Sequence, residues 1–133
     1  MFKSRRIAKI LASTALLLGA GSVFPQSASA ADGDINVAHW AGPNIDAAAG
    51  FRSYGDELGA CDERADGYGA WAGLYKNVSN GRGDFIKSAY AGGDGNCGTN
   101  TKNVAEGTVV WIKICLRKGG VNYDCKWSDY GYA

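Results

Sequence analysis

TVVWIKICLRKGGVNYDCKWSDY, residues Thr108 to Tyr130, is the stretch that decides the fold. Val110, Ile112, Ile114 and Leu116 alternate with Val109, Trp111, Lys113 and Cys115. A strict period of two over such a run is the mark of a half-buried strand. The first set is read as the core face. Gly119-Gly120 then breaks the run, and Tyr123 to Tyr130 returns as a second strand. A three-residue loop, Gly119-Gly120-Val121, sets Cys115 opposite Cys125, within bridging reach. On that register Lys113 faces Trp127 and Arg117 faces Tyr123. It also sets Asp124, Lys126 and Ser128 against Leu116, Ile114 and Ile112, a conflict that a β-bulge or a solvated edge strand would relieve.

Upstream, Tyr68–Val78 and Phe85–Ala91 flank Asn80-Gly81. Asn-Gly between two such runs is a strong hairpin signal, since both residues tolerate positive φ. A two-residue turn there pairs Ser79 with Arg82 and Trp71 with Tyr90. One face then holds Trp71, Tyr75, Ile86 and Tyr90, and the other Ala70, Ala72, Leu74, Phe85 and Ala89. Both faces carry apolar groups, as in a sandwich. The expected fold is therefore all-β: a small disulfide-stapled β-sandwich, immunoglobulin-like or Greek-key, with six or seven short strands.

The N-terminus reads differently. Residues 1–30 carry Lys3, Arg5, Arg6 and Lys9 with no acid, then an apolar run from Ile10 to Phe24 and the ending Ser27-Ala28-Ser29-Ala30. These are the parts of a secretory signal peptide. The apolar run is too short and too broken by Gly19 and Gly21 for a stable span of about 20 residues. Ser4-Arg5-Arg6 hints at twin-arginine export, but Ala8 and Lys9 stand where large apolar residues belong, which favours the general route. Cleavage leaves ten Lys and Arg against thirteen Asp and Glu, a net charge of −3. That balance argues against nucleic acid as a partner, which needs a basic face, and no membrane anchor remains.

Cys61, Cys97, Cys115 and Cys125 all fall after the signal. An even count in a short exported chain reads as disulfides. Zinc is excluded by the absence of any Cys-x-x-Cys and by a single histidine, His39. No cofactor is implied. Local closure favours Cys61–Cys97 and Cys115–Cys125. Residues 31–54, with only weak alternation at Ile35, Val37 and His39 and a break at Gly42-Pro43, read as an extended arm. Residues 55–133 form the β-domain.

From about Tyr54 onward the chain resembles a loose group of small secreted two-disulfide actinobacterial proteins. The residues that carry this are Cys61-Asp62-Glu63-Arg64-Ala65-Asp66-Gly67-Tyr68-Gly69, Glu106-Gly107-Thr108-Val109-Val110, and Cys115 with Cys125 followed by Trp127. The group has no established activity. The resemblance implies export and a disulfide-bonded β-domain, and it carries over no functional residue.

Candidate chemistry is sparse. Any histidine-dependent catalysis must use His39, which lies in the poorly patterned arm and reads as a packing or surface residue. No Gly-x-Ser-x-Gly turn presents a serine. Asp56/Glu57 and Asp62/Glu63/Asp66 offer paired carboxylates, and the latter with Asp94-Gly95-Asn96 offer oxygen ligands for calcium. Both sets read as turn and solubility groups. Arg82-Gly83-Asp84 follows a hairpin tip, and Asn77-Val78-Ser79 matches a glycosylation acceptor; both read as incidental. The set with most promise is Trp111, Tyr123 and Trp127, which the hairpin register puts on the face away from the core. Exposed aromatic patches mark binding sites. The competing reading is a second sheet covering that face, with Trp111 and Trp127 as core. The expected role is thus a secreted, non-enzymatic module binding an extracellular protein or cell-wall glycan. The alternatives are a small hydrolase or toxin-like effector, and a structural component of the cell surface or spore envelope.

Overall fold

The computed structural model describes residues 33–133, so the signal peptide expected at residues 1–30 lies outside the described residues. Eight strands follow in order: β1 (Ile35–Ala41), β2 (Asn44–Arg52), β3 (Glu57–Asp62), β4 (Gly69–Ser79), β5 (Arg82–Ala91), β6 (Cys97–Asn100), β7 (Val109–Lys118) and β8 (Val121–Tyr132). They form two antiparallel four-stranded sheets, ordered β1-β2-β3-β6 and β5-β4-β7-β8. Among the described residues no helix is long and apolar enough to cross a membrane.

One face of each sheet makes the core. Ile35, Ala47, Ala49, Phe51, Leu58 and Ala60 come from the first sheet; Ala70, Ala72, Leu74, Ala89, Val110, Ile112 and Ile114 come from the second. The alternation at Val110, Ile112 and Ile114 therefore points inward as the sequence expects, and all three are fully buried. Alanines supply much of both inner faces, so the two sheets need little room between them. Gly98 in β6 is the extreme case: a Cβ there would meet the Tyr90 carbonyl oxygen of β5 inside contact distance. Such a close backbone approach is a glycine role within strands.

The arm expected at residues 31–54 is instead two strands. Gly42-Pro43 is the turn of a hairpin in which Ala41 faces Asn44, with Gly42 at φ +60°. Phe51, Ala47 and Ala49 are core residues. The alternation was weak because alanine, a poor strand former, occupies the inward positions of β2. These two strands raise the total to eight.

The Asn80-Gly81 turn has both residues at positive φ (51° and 74°), and Ser79 faces Arg82 as expected. Trp71 also faces Tyr90. Between those points two irregularities offset one another. Ile86 is extra opposite Leu74/Tyr75, and Asn77, at φ +55°, sits in the second. The first bulge reverses the expected assignment of two residues. Phe85 turns outward and is exposed, while Ile86 packs on the core.

The C-terminal turn is also shorter than expected. Lys118 faces Val121 across a two-residue Gly119-Gly120 turn, both at positive φ. Arg117 consequently faces Asn122 and Leu116 faces Tyr123. An extra residue at Asp124, φ +47°, restores the expected pairing of Lys113 with Trp127. A second irregularity between Trp111 and Lys113 then sets Trp111 opposite Tyr130. Bulges move Asp124 and Ser128 out of regular pairing, while Lys126 still faces Ile114 and reaches solvent because β8 is an edge strand.

Both cysteine pairs are those expected: Cys61–Cys97 with Cα atoms 4.0 Å apart and Cys115–Cys125 at 4.2 Å. Each joins an edge strand, β6 or β8, to its neighbour. Disulfides persist in oxidising compartments.

Candidate aromatic binding face

The second sheet packs on the first through the parity of Ala70, Ala72, Leu74, Ile112 and Ile114. The opposite parity faces away from the core. Register places Trp71 beside Tyr90 and Cys115, Gly73 beside Ser88 and Lys113, and Tyr75 beside Phe85 and Trp111. β8 extends these rows with Trp127 opposite Lys113, Tyr130 opposite Trp111 and Tyr132 opposite Val109. The first sheet thus covers the core side of β7, and the Trp111 face lies outside.

The rings form linked groups. Tyr75 meets Phe85 edge-on at 5.6 Å and Trp127 at 5.1 Å. Trp111 lies 6.3 Å from Tyr130, which meets Tyr132 at 5.7 Å. Such pairs stabilise by ~0.5–1.5 kcal/mol beyond area burial. Phe85, Tyr90, Tyr130 and Tyr132 are 45–59% exposed, whereas Trp71, Tyr75, Trp111 and Trp127 are half-buried among them. Burial pushes the Tyr75 hydroxyl above its ordinary range. Gly73 leaves the space that the rings on either side fold into: a Cβ there would lie 2.5 Å from Trp71 and 2.7 Å from Tyr75. The Lys113 ammonium stands 5.5 Å from the centre of the Trp127 ring, within cation–π range.

The three expected site residues separate. Trp111 and Trp127 share this face. Tyr123 does not: the two-residue turn moves it to the parity of Leu116, where its ring meets Tyr68 at 5.8 Å. Lys118 covers Tyr68 from 5.2 Å. Trp71, Tyr75 and Tyr90 belong to the face by simple alternation along β4 and β5. Phe85 and Tyr130 were hidden from sequence because the position of each depends on a bulge.

The residues weighed for catalysis have structural partners. His39 is 1% exposed and reaches across to β8, its Nε2–H within 2.8 Å of the Asp124 carbonyl oxygen and 3.0 Å of the Asp124 carboxylate. Both partners are acceptors, so Nε2 carries the proton. Nδ1 has no hydrogen bond and lies 3.7 Å from buried Asp46, which accepts from Arg64 at 3.0 Å. Asp56 is buried and its Oδ2 accepts from the Val104 N–H, while Glu57 lies 3.8 Å from Arg52. Asp62 accepts from the Arg64 N–H and Asp66 from the Tyr68 N–H, each closing a local turn. Among the described residues no three His, Cys, Asp or Glu side chains gather as a metal site. Arg82-Gly83-Asp84 opens β5 directly after the Asn80-Gly81 turn, as expected, with Asp84 accepting from the Asn77 amide at 2.8 Å.

No family model, curated protein or solved structure matches the chain.

Proposed function

We infer that this is a small secreted, non-enzymatic binding module that holds an extracellular protein or glycan on the outer face of β5-β4-β7-β8. The observation that carries the reading is the outward row of rings, Phe85, Tyr75, Trp111 and Tyr130, continued by Trp127 and Tyr132. A folded chain exposes contiguous apolar surface of this kind where it meets a partner, and Trp and Tyr are the side chains that most often anchor such contacts. The signal-like start, the two disulfides and the resemblance to small exported proteins support an extracellular setting.

The test is a pull-down of secreted and cell-surface material on the exported chain. Trp127→Ala and Tyr130→Ala should each lose retention while keeping the thermal transition and both disulfides. Tyr130 is 59% exposed, so its removal leaves the fold intact even if Trp127→Ala loosens β8. Retention unchanged in both variants would sink the reading.

A further inference from the structure

We propose that the ligand of this face is an anionic polysaccharide lying along β7, an inference that rests on the binding reading above. The distribution of charge points to it. The described chain is acid-rich, yet of the residues that register places on the outer face, the charged ones are Lys113 and Arg117, and no carboxylate is among them. Neither cation is neutralised. The ion pairs of the described residues join His39 to Asp46 and Asp124, Arg52 to Glu57, Arg64 to Asp46, and Lys126 to Asp124. Lys113 instead stands over Trp127, and Arg117 donates to the neutral Asn122 side-chain oxygen at 2.7 Å.

Spacing favours an elongated ligand. Lys113 and Arg117 are four residues apart on one strand, about 13 Å along it. The Trp71–Cys115 row lies between them, and the Tyr75–Trp111–Tyr130 row continues beyond Lys113. A polymer with recurrent negative groups can meet both cations and lay saccharide rings on the aromatics between and beyond them. At Arg117 the sheet meets a cleft of ≈ 460 Å³ where Arg64 and Lys118 join Arg117 beside Asp62 and Asp94, so positive charge continues past the end of the strand. The negative groups are carboxylate or phosphate, and the two are separated by choice of probe.

The experiment is affinity electrophoresis of the exported chain through gels holding polygalacturonate, a phosphorylated mannan, a neutral glucan, polyglutamate or single-stranded oligonucleotide. Retardation by polygalacturonate identifies carboxylate, and retardation by the phosphorylated mannan identifies phosphate. In either case Lys113→Gln/Arg117→Gln should weaken retention about tenfold, as expected for lost charge-assisted contacts, and Tyr130→Ala should weaken it too. Both cations are at the surface of the sheet, and an unchanged melting transition confirms folding. Equal retardation by the neutral glucan, by polyglutamate or by oligonucleotide overturns the proposal, as does no retardation by either acidic polysaccharide. If the pull-down still depends on Trp127 and Tyr130 in those cases, the binding reading survives and only the ligand class falls.

Discussion

Lys87 sits opposite Leu74 in the β4–β5 ladder, at a core-facing position, and is 3% exposed. Its ammonium donates to the main-chain carbonyls of Asp56 and Lys102, tying the β2–β3 turn and the β6–β7 loop to β5. Burial holds its pKa below the ordinary lysine range, against the opposing pull of Asp56. Between that lowered value and the unfolded chain's ~10.4, the unfolded chain binds a proton that the folded chain has released. Stability therefore rises with pH across this window, and the cost of the buried charge is fully present below it. Urea unfolding at about pH 7 and pH 10 should show wild type gaining on Lys87→Met as pH rises. A constant difference would mean that the buried charge costs nothing. Gly98 is the backbone counterpart. Gly98→Ala drives a Cβ into the Tyr90 carbonyl, and main chain cannot swing aside as a side chain can, so a loss of about 1–3 kcal/mol or more is expected. Gly59→Ala in the neighbouring strand, where the nearest atom is 3.8 Å away, should be neutral or slightly stabilising.

Both disulfides staple edge strands, and they do so where the ladder is weakest. β6 has four residues, and β8 departs twice from regular pairing with β7. An unpaired edge invites association with another chain, and a short or bulged edge reduces that hazard. The same devices weaken the hold of the edge on its own sheet, which a covalent bridge restores. By loop-closure entropy the 36-residue separation of Cys61–Cys97 contributes ~3.8 kcal/mol and the 10-residue separation of Cys115–Cys125 ~2.8 kcal/mol. The Cys61→Ser/Cys97→Ser pair should therefore lower the unfolding midpoint more than Cys115→Ser/Cys125→Ser. Equal losses would show that the bridges act on the folded edges instead. The bulges also mark where sequence reading stopped. Period-two alternation revealed β4, β5, β7 and β8 and set Trp111 and Trp127 on the face opposite Ile112 and Ile114. Asn-Gly marked one turn, and local closure gave both cysteine pairs. The short β3 and β6 and the exposure of the tryptophan face were not legible. A bulge has no periodic signature, since one extra residue at Ile86 or Asp124 only shifts the parity of the residues beyond it. Phe85, Tyr123 and Tyr130 were therefore misplaced or missed. β1 and β2 were obscured for another reason: alanine gives an inward position almost no contrast with its neighbours.

At the scale of the whole molecule, the sandwich leaves one sheet face rich in rings and must still keep that face from pairing with itself. His39 ties β1 to β8 by bonding to Asp124, and strand parity holds the rings on the outer face. The protection has to lie on the face. Lys113 is at its centre, flanked by Gly73 and Trp127 in the ladder, and two copies meeting face to face would bring two such ammonium groups together in a poorly hydrated contact. Taking a charge out of water without a partner is costly, while a polyanion would supply that partner. Replacing the cation with an apolar side chain of similar length removes the cost and enlarges the apolar patch. Lys113→Leu should therefore shift the protein toward dimers or larger species at concentrations where the wild type sediments as a smaller one. Lys126→Leu, on the exposed edge beside Asp124, should leave sedimentation unchanged. If Lys113→Leu sediments as the wild type does, the face is kept apart by the shape of its rings rather than by its central charge.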